Sequence, residues 1–178
     1  MANETITLAG GCFWCIESAF NSVEGVVSAY SGYANGNIDN PDYESVCSGN
    51  TGYTEAVQVT FDDSLISRRE ILEIFFALHD PTQLNRQGND VGTQYRGGIY
   101  YTSESQKDDA LAIIEEIKQA NIWPGEIVTE VEALAQYKQA EDYHQDYFSN
   151  NPQNMYCNMV VAPKLAKFKK TFSNRLKK

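Results

Sequence analysis

Long apolar runs are absent from this 178-residue chain. None approaches the roughly 18 consecutive apolar residues that a membrane-spanning helix needs, so no membrane association is expected. The N-terminus, Met-Ala-Asn-Glu, also lacks the basic segment and the apolar core of a signal peptide. We therefore expect a cytoplasmic protein. In that reducing compartment the four cysteines are not expected to form a structural disulfide framework.

Positive charge is scarce outside the C-terminus. The chain has 24 acidic and 14 basic residues, and its formal net charge of −10 argues against nucleic-acid binding, because phosphates would be repelled. Seven of the basic residues fall within 164–178, a segment without acids. Apolar side chains recur there at spacings of three and four, which predicts a basic C-terminal helix packed on the domain. A helix that binds a membrane surface or a partner is the alternative.

Repeats, low-complexity blocks and Pro/Gly/Ser linkers are also missing, which predicts a single domain over 1–178. We also expect a monomer. Strands are expected over 5–9, 26–33, 55–61, 98–101 and 127–134, and helices over 13–21, 67–78 and 103–121. This order predicts an α+β domain, a two-layer sandwich with a mixed β-sheet, a ferredoxin-like βαββαβ core, packed helices and long irregular loops.

Two serines match helix-start motifs. Ser67 with Glu70, and Ser103 with Gln106, have the spacing of capping boxes. In the helix that Ser103 begins, the apolar pattern predicts that three side chains face inward: Leu111, Ile114 and Ile117.

The segment Gly10-Gly11-Cys12-Phe13-Trp14-Cys15 carries the sharpest chemical motif. A cysteine at the step from strand to helix lies beside free backbone N–H groups, which favour the thiolate and can bring a thiol pKa below about 7.5 from about 8.5. Phe13 and Trp14 would then line an apolar pocket. The alternative is that both rings belong to the core and that Cys12 is an inert, buried thiol.

Cys12 and Cys15 also form a C-x-x-C pair, the spacing of a thioredoxin-like redox centre or of half a zinc site. Zinc needs two further ligands. Cys47 and Cys157 are isolated in the sequence, and the only histidines are His79 and His144. A metal site is therefore the weakest of these interpretations, and the histidines are expected to be structural.

Four separated blocks resemble the peptide methionine sulfoxide reductase A family. They are GCFWC at 11–15, NPDYESVCSGNTGYTEAV at 40–57, HDPTQLNRQGNDVGTQYRGGIYY at 79–101 and EDYHQDY at 141–147. The resemblance implies an enzyme that reduces the S epimer of methionine sulfoxide, free or in proteins, in protein repair. It also implies no bound cofactor and thioredoxin as the reductant.

The resemblance assigns roles by position. It implies Cys12 as the nucleophile, Phe13 and Trp14 as a methyl-binding pocket, Glu55 as the acid, Tyr43 and Tyr95 as hydroxyl donors, Asp90 as a polarising carboxylate and Cys157 as the resolving cysteine. One departure is Tyr53, which stands where the family usually has a histidine.

Physical chemistry explains why such a set would act together. A sulfoxide sulfur is a poor electrophile until its oxygen is protonated, so reduction needs a thiolate and nearby acids. A carboxyl in an apolar pocket can hold that proton, and tyrosine hydroxyls can stabilise charge on oxygen. Each residue alone has an ordinary explanation, for example Glu55 as a solvated charge where a strand starts.

After attack, Cys12 would be a sulfenic acid, which condenses with a second thiol. Cys157 is the first candidate and Cys15, one helical turn away, is the second, while Cys47 is expected to be structural. Three hypotheses follow: a sulfoxide reductase, a general dithiol oxidoreductase using Cys12 and Cys15, and a non-catalytic thiol or metal-binding module. Only the first gives Glu55 and Asp90 a task.

Overall fold

The computed structural model describes residues 3–10, 13–36, 46, 52–78, 81–82, 86–87, 90–120, 126–135, 137–140, 166 and 170. The elements with described bounds are β1 Asn3–Ala9, α1 Phe13–Asn21, β2 Val26–Ala34, β3 Thr54–Asp62, α2 Arg68–Leu78, β4 Arg86–Gln87, β5 Asp90–Val91, a 3-10 turn Thr93–Tyr95, β6 Gly98–Tyr101, α3 Glu104–Ala120, β7 Glu130–Ala133 and β8 Tyr137–Gln139. Within the predicted tail helix, Ala166 and Lys170 are helical and exposed, and the other residues of 164–178 lie outside the described ones.

Six strands form one sheet in the order β7-β6-β1-β3-β2-β8. All neighbouring pairs are antiparallel except β6 and β7, which run parallel. The strands β4 and β5 pair separately as a short antiparallel ribbon. The sheet is therefore mixed, and the prediction of an α+β fold is confirmed.

The main core lies between the sheet and the helices. Ile6 and Leu8 of β1 stand opposite Val59 and Val57 of β3, and all four side chains are fully buried. Helices α1 and α2 add further fully or almost fully buried side chains, among them Phe13, Ile16, Phe20, Ile71, Leu72 and Phe75. Burial of each such side chain contributes about 1.5–3 kcal/mol to stability. Because side chains of α1 and β3 belong to the same core, this packing holds the start of α1 against β3.

Helix α3 departs from the predicted inward face. Leu111 is 46% exposed, so the prediction that it faces inward was wrong, whereas Ile114 is buried and Ile117 is partly buried. The buried stripe instead begins at Gln106 and continues through Ala110 and Ile113. The side chain of Gln106 donates to the Thr5 carbonyl at 2.9 Å, which satisfies this polar group on the buried face, and Leu111 lies outside that face.

Both predicted caps are present. Ser67 Oγ accepts a hydrogen bond from the Glu70 N–H at 3.1 Å, and Glu70 Oε1 accepts one from the Ser67 N–H at 3.3 Å. Ser103 Oγ accepts from the Gln106 N–H, but Gln106 Oε1 accepts from the Thr102 N–H, one residue earlier than in a capping box. The helices therefore start where the sequence predicts.

Strand β8 was not predicted. Its three residues show no apolar alternation, and it exists because β2 offers an open edge to which Tyr137 and Gln139 pair. The Ala140 N–H extends this pairing with a 2.9 Å hydrogen bond to the Ser31 carbonyl. No helix in the described part of the chain is long and apolar enough to cross a membrane.

Candidate active site

A buried carboxyl group, that of Glu55, marks the candidate site. Glu55 is the second residue of β3 and is only 1% exposed. Its Oε1 accepts a hydrogen bond of 3.2 Å from the backbone N–H of Phe13. The interpretation of Glu55 as a solvated charge at a strand start is therefore wrong, because the strand continues into the core and carries the carboxyl with it.

The Phe13 N–H is one of the donors that a helix start leaves without an intrahelical partner, since α1 begins at Phe13. Cys12 precedes this residue directly in the chain, although Cys12 itself lies outside the described residues. Glu55 therefore binds at the end of α1 that follows the candidate nucleophile in the sequence.

Aromatic rings surround this end of α1. Phe13 is fully buried and Trp14 is 9% exposed, with 6.4 Å between the ring centroids. The Phe13 ring also lies 5.8 Å from that of Tyr33, which stands opposite Glu55 in the pairing of β2 and β3. Sequence reasoning did not single out Tyr33, whose only indication was its place in an alternating strand.

Tyr53 stands two residues before Glu55, at the position where the resemblance noted above implies a histidine. It is 4% exposed and belongs to the main core. A β-carbon at Gly36 would overlap the Tyr53 ring, so the ring packs directly on the backbone of Gly36. The Tyr53 ring therefore leaves no room for a side chain at position 36.

Tyr95 closes the 3-10 turn and is half-buried. The turn is held by a 3.0 Å hydrogen bond from the Tyr95 N–H to the Gly92 carbonyl. Gly92 has φ +145°, and a β-carbon there would overlap the Gln94 amide. Only glycine fits that backbone, and so Gly92 sets where the turn carrying Tyr95 begins.

Several sequence-predicted residues lie outside the described part of the chain: Cys12, Tyr43, Cys47, His79, His144, Cys157 and the side chains of Cys15 and Asp90. Asp90 is the first residue of β5 and lies three positions before the turn that ends at Tyr95. The structure thus brings Glu55, Phe13 and Tyr33 together and anchors Tyr95 on the segment that follows β5.

A second buried carboxyl escaped the sequence analysis. Glu17, on α1, is 1% exposed, and its Oε2 accepts hydrogen bonds from the Ser31 N–H at 3.3 Å and the Ser31 hydroxyl at 3.1 Å. It ties the middle of α1 to β2. An acidic residue on the inner face of an otherwise apolar helix was the available indication.

Comparisons with known proteins agree with this architecture. A family model described as peptide methionine sulfoxide reductase matches residues 4–176. The peptide methionine sulfoxide reductase MsrA of Trichodesmium erythraeum is 54% identical over 173 residues, which are 97% of this chain and 98% of that protein.

Solved structures give the same result. The crystal structure of Mxr1 from Saccharomyces cerevisiae in reduced form has a TM-score of 0.79 and 37% identity, covering 87% of this chain and 89% of that one. Mxr1 in complex with Trx2 has a TM-score of 0.56 and 27% identity, covering 82% of this chain and 84% of that one.

These matches make the protein an enzyme of the oxidoreductase class that acts on oxidised sulfur. The chain belongs to the peptide methionine sulfoxide reductase family, and its similar proteins are of the MsrA type. The hypotheses of a general dithiol oxidoreductase and of a non-catalytic module are thereby set aside.

Proposed function

We propose that the enzyme transfers the oxygen of methionine S-sulfoxide, free or in proteins, to Cys12, and so repairs oxidised proteins. The observation that carries this proposal is the buried Glu55 carboxyl bonded to the N–H that follows Cys12 in the chain. A proton source held at that point is what a sulfoxide needs as a thiolate attacks its sulfur.

In the first step the Cys12 thiolate forms a bond to the sulfoxide sulfur while Glu55 protonates the oxygen. Burial of a carboxyl disfavours its charged form, so an almost fully buried Glu55 is suited to carry that proton. The sulfur–oxygen bond of the substrate and the new sulfur–sulfur bond then break as the hydroxyl group passes to the Cys12 sulfur. Methionine leaves as the reduced thioether, and Cys12 is oxidised to the sulfenic acid.

Other side chains bind and polarise the sulfoxide in this proposal. Tyr43 and Tyr95 donate hydroxyl hydrogen bonds to the oxygen, and Asp90 polarises the substrate. Phe13 and Trp14 supply the apolar wall against the methyl group. This role is supported by the position of both residues in the first turn of α1, where Trp14 is the more exposed of the two.

Cys157 resolves the sulfenic acid: its thiol condenses with Cys12–SOH, a disulfide forms and water leaves. Cys15 is the alternative resolving thiol. A thioredoxin dithiol then reduces the disulfide by exchange and is itself oxidised. The Mxr1 structure in complex with Trx2, which this structure resembles, supports thioredoxin as the partner.

The remaining parts of the proposal concern context. The enzyme works as a single domain over 1–178 and as a monomer, with the basic segment 164–178 packed on the domain and no bound cofactor. A cytoplasmic location suits a cycle that needs reduced thiols. The antiparallel order β6-β1-β3-β2, joined by α1 and α2, supports a ferredoxin-like βαββαβ core in a two-layer sandwich.

The decisive experiment counts methionine formed per enzyme without reductant. Cys12→Ser should form none, whereas Cys15→Ser and Cys157→Ser should each complete one turnover. With thioredoxin present, Cys157→Ser should stop after that turnover, and continued cycling would make Cys15 the resolving thiol. Methionine formation by Cys12→Ser would refute the proposed nucleophile.

A further inference from the structure

Two hydrogen-bonded connections join the segment before Glu55 to the segment around Tyr95. The Thr54 hydroxyl lies 3.0 Å from the carbonyl oxygen of Gln94 and 3.0 Å from that of Arg96, the two residues that flank Tyr95. Thr54 is fully buried and adjoins Glu55 in β3. The single hydroxyl proton, shared between these two carbonyls, therefore ties the segment around Tyr95 to the strand that carries the acid.

Arg96 makes the second connection. Its Nη2 donates to the Gly52 carbonyl at 2.8 Å, and its Nε donates to Glu130 Oε1 at 2.7 Å. Gly52 has φ +76°, a backbone conformation that favours glycine, and it lies three residues before Glu55. One guanidinium thus holds the segment that leads into β3 and also binds β7.

A third residue, Tyr100, holds the Arg96–Glu130 ion pair in place. Glu130 Oε1 accepts a further hydrogen bond of 2.9 Å from the Tyr100 hydroxyl, and Tyr100 is fully buried. The Arg96 side chain is 15% exposed and that of Glu130 is 32% exposed. The planar guanidinium of arginine can donate to two acceptors in fixed directions, whereas the single ammonium of lysine lacks that geometry.

We propose that Arg96, together with Thr54, is a positioning residue that holds the Tyr95 hydroxyl at the distance from Glu55 that sulfoxide reduction needs. The proposal rests on the function proposed above, in which Tyr95 and Glu55 act on the same oxygen. Misplacement of a catalytic group by about 1 Å can cost on the order of 100-fold in rate, so loss of either connection should act on turnover.

A double-mutant cycle tests this. Arg96→Met, Tyr95→Phe and the double variant are compared with wild type for kcat and KM on methionine S-sulfoxide with a dithiol reductant. Tyr95→Phe and Arg96→Met should each lower kcat by about 10- to 100-fold. If Arg96 acts through Tyr95, adding Arg96→Met to the Tyr95→Phe variant should lower kcat by less than about twofold further. The reason is that the effects of residues that act as a unit are not additive.

Arg68 provides the matched control. It too is a partly buried arginine, 19% exposed, and it forms ion pairs with Glu4 and Asp109 away from the candidate site. Arg68→Met should lower the melting temperature as Arg96→Met does and leave kcat unchanged. Arg96→Lys, which keeps the charge without the fork, should recover only part of the lost kcat.

Thr54→Val is a second variant that tests the same proposal if Arg96→Met does not fold. It removes the hydroxyl at nearly constant shape and should also lower kcat only when Tyr95 is present. Its control is Thr60→Val on the same strand, which removes an exposed hydroxyl contact with Thr5 and should leave kcat unchanged.

The outcomes separate the two proposals. A wild-type protein that forms no methionine would refute the proposed function. The positioning role alone would be refuted if wild type is active and Tyr95→Phe is slow, but Arg96→Met is unimpaired. It would also be refuted if the losses of kcat in Arg96→Met and Tyr95→Phe multiply in the double variant. An unimpaired Tyr95→Phe variant would remove Tyr95 from the site and this inference with it.

Discussion

The backbone N–H of Phe13 and the Oε1 of Glu55 lie 3.2 Å apart, although 42 positions separate them in the chain. This hydrogen bond joins the start of α1 to the start of β3. It places a carboxyl with 1% exposure beside the peptide that follows Cys12 in the sequence. The acid is thereby held at the end of α1 that directly follows the candidate nucleophile in the sequence.

Replacing Glu55 by glutamine separates its two functions. The amide oxygen of Glu55→Gln can still accept from the Phe13 N–H, so the fold should persist, but the proton for the sulfoxide oxygen is lost. We expect the single-turnover rate of methionine formation to fall by about 100-fold or more at neutral pH. Rapid-quench measurement of methionine checks this.

The control for that variant is Glu17→Gln. Glu17 is equally buried and also accepts hydrogen bonds, but from Ser31. Its substitution should change stability and leave the single-turnover rate unchanged. Equal rates for Glu55→Gln and wild type would mean that another group supplies the proton.

The contact between Tyr53 and Gly36 predicts coupled effects on stability. Gly36→Ala places a β-carbon where the Tyr53 ring lies, and overpacking of this kind costs about 1–3 kcal/mol. Tyr53→Ala removes the ring, including the Cγ and Cδ2 atoms that the added β-carbon would overlap, and should leave room for the methyl group. In urea unfolding, Gly36→Ala should therefore cost less in the Tyr53→Ala background than in wild type; strictly additive losses would show that the two residues do not compete for space.

Tyr100, which is buried, and Tyr137, which is partly buried, predict a loss of stability at alkaline pH. Burial raises the pKa of Tyr100 well above its usual 10.0, Glu130 adds to the increase and the Arg96 cation opposes it. Burial also raises the pKa of Tyr137, with Glu17 contributing. The folded chain holds these protons more tightly than the unfolded chain does.

The resulting stability is therefore complete below about pH 10 and is lost as pH rises above it, by up to about 1.4 kcal/mol per pH unit for each group. Denaturant unfolding measured at a series of alkaline pH values checks the slope. Tyr100→Phe should make the curve shallower, and an unchanged slope would contradict the assignment.

Helix α3 offers a direct test of its inner face. Leu111 is 46% exposed whereas Ile113 is 3% exposed. Leu111→Gln should change the free energy of unfolding by less than about 0.5 kcal/mol, because a surface substitution leaves no cavity. Ile113→Ala should cost about 2–5 kcal/mol, and thermal unfolding of both variants distinguishes them. A larger loss for Leu111→Gln would reverse the face assigned to the helix.

Local patterns in the sequence determined most of the elements. The predicted helix over 13–21 has those bounds in the structure, and Ser67 and Ser103 begin the next two helices because capping depends on neighbours three residues apart. The resemblance of four blocks identified the family, since those blocks are read directly from the chain.

Only the tertiary structure decided which of these local features meet. Strand β8 pairs with the edge of β2, and the buried face of α3 includes Gln106, bound to the Thr5 carbonyl, rather than Leu111. The hydrogen bonds of Glu55 and Arg96 likewise join residues more than 30 positions apart. Such contacts depend on how whole strands and helices pack, and no periodicity along the chain encodes them.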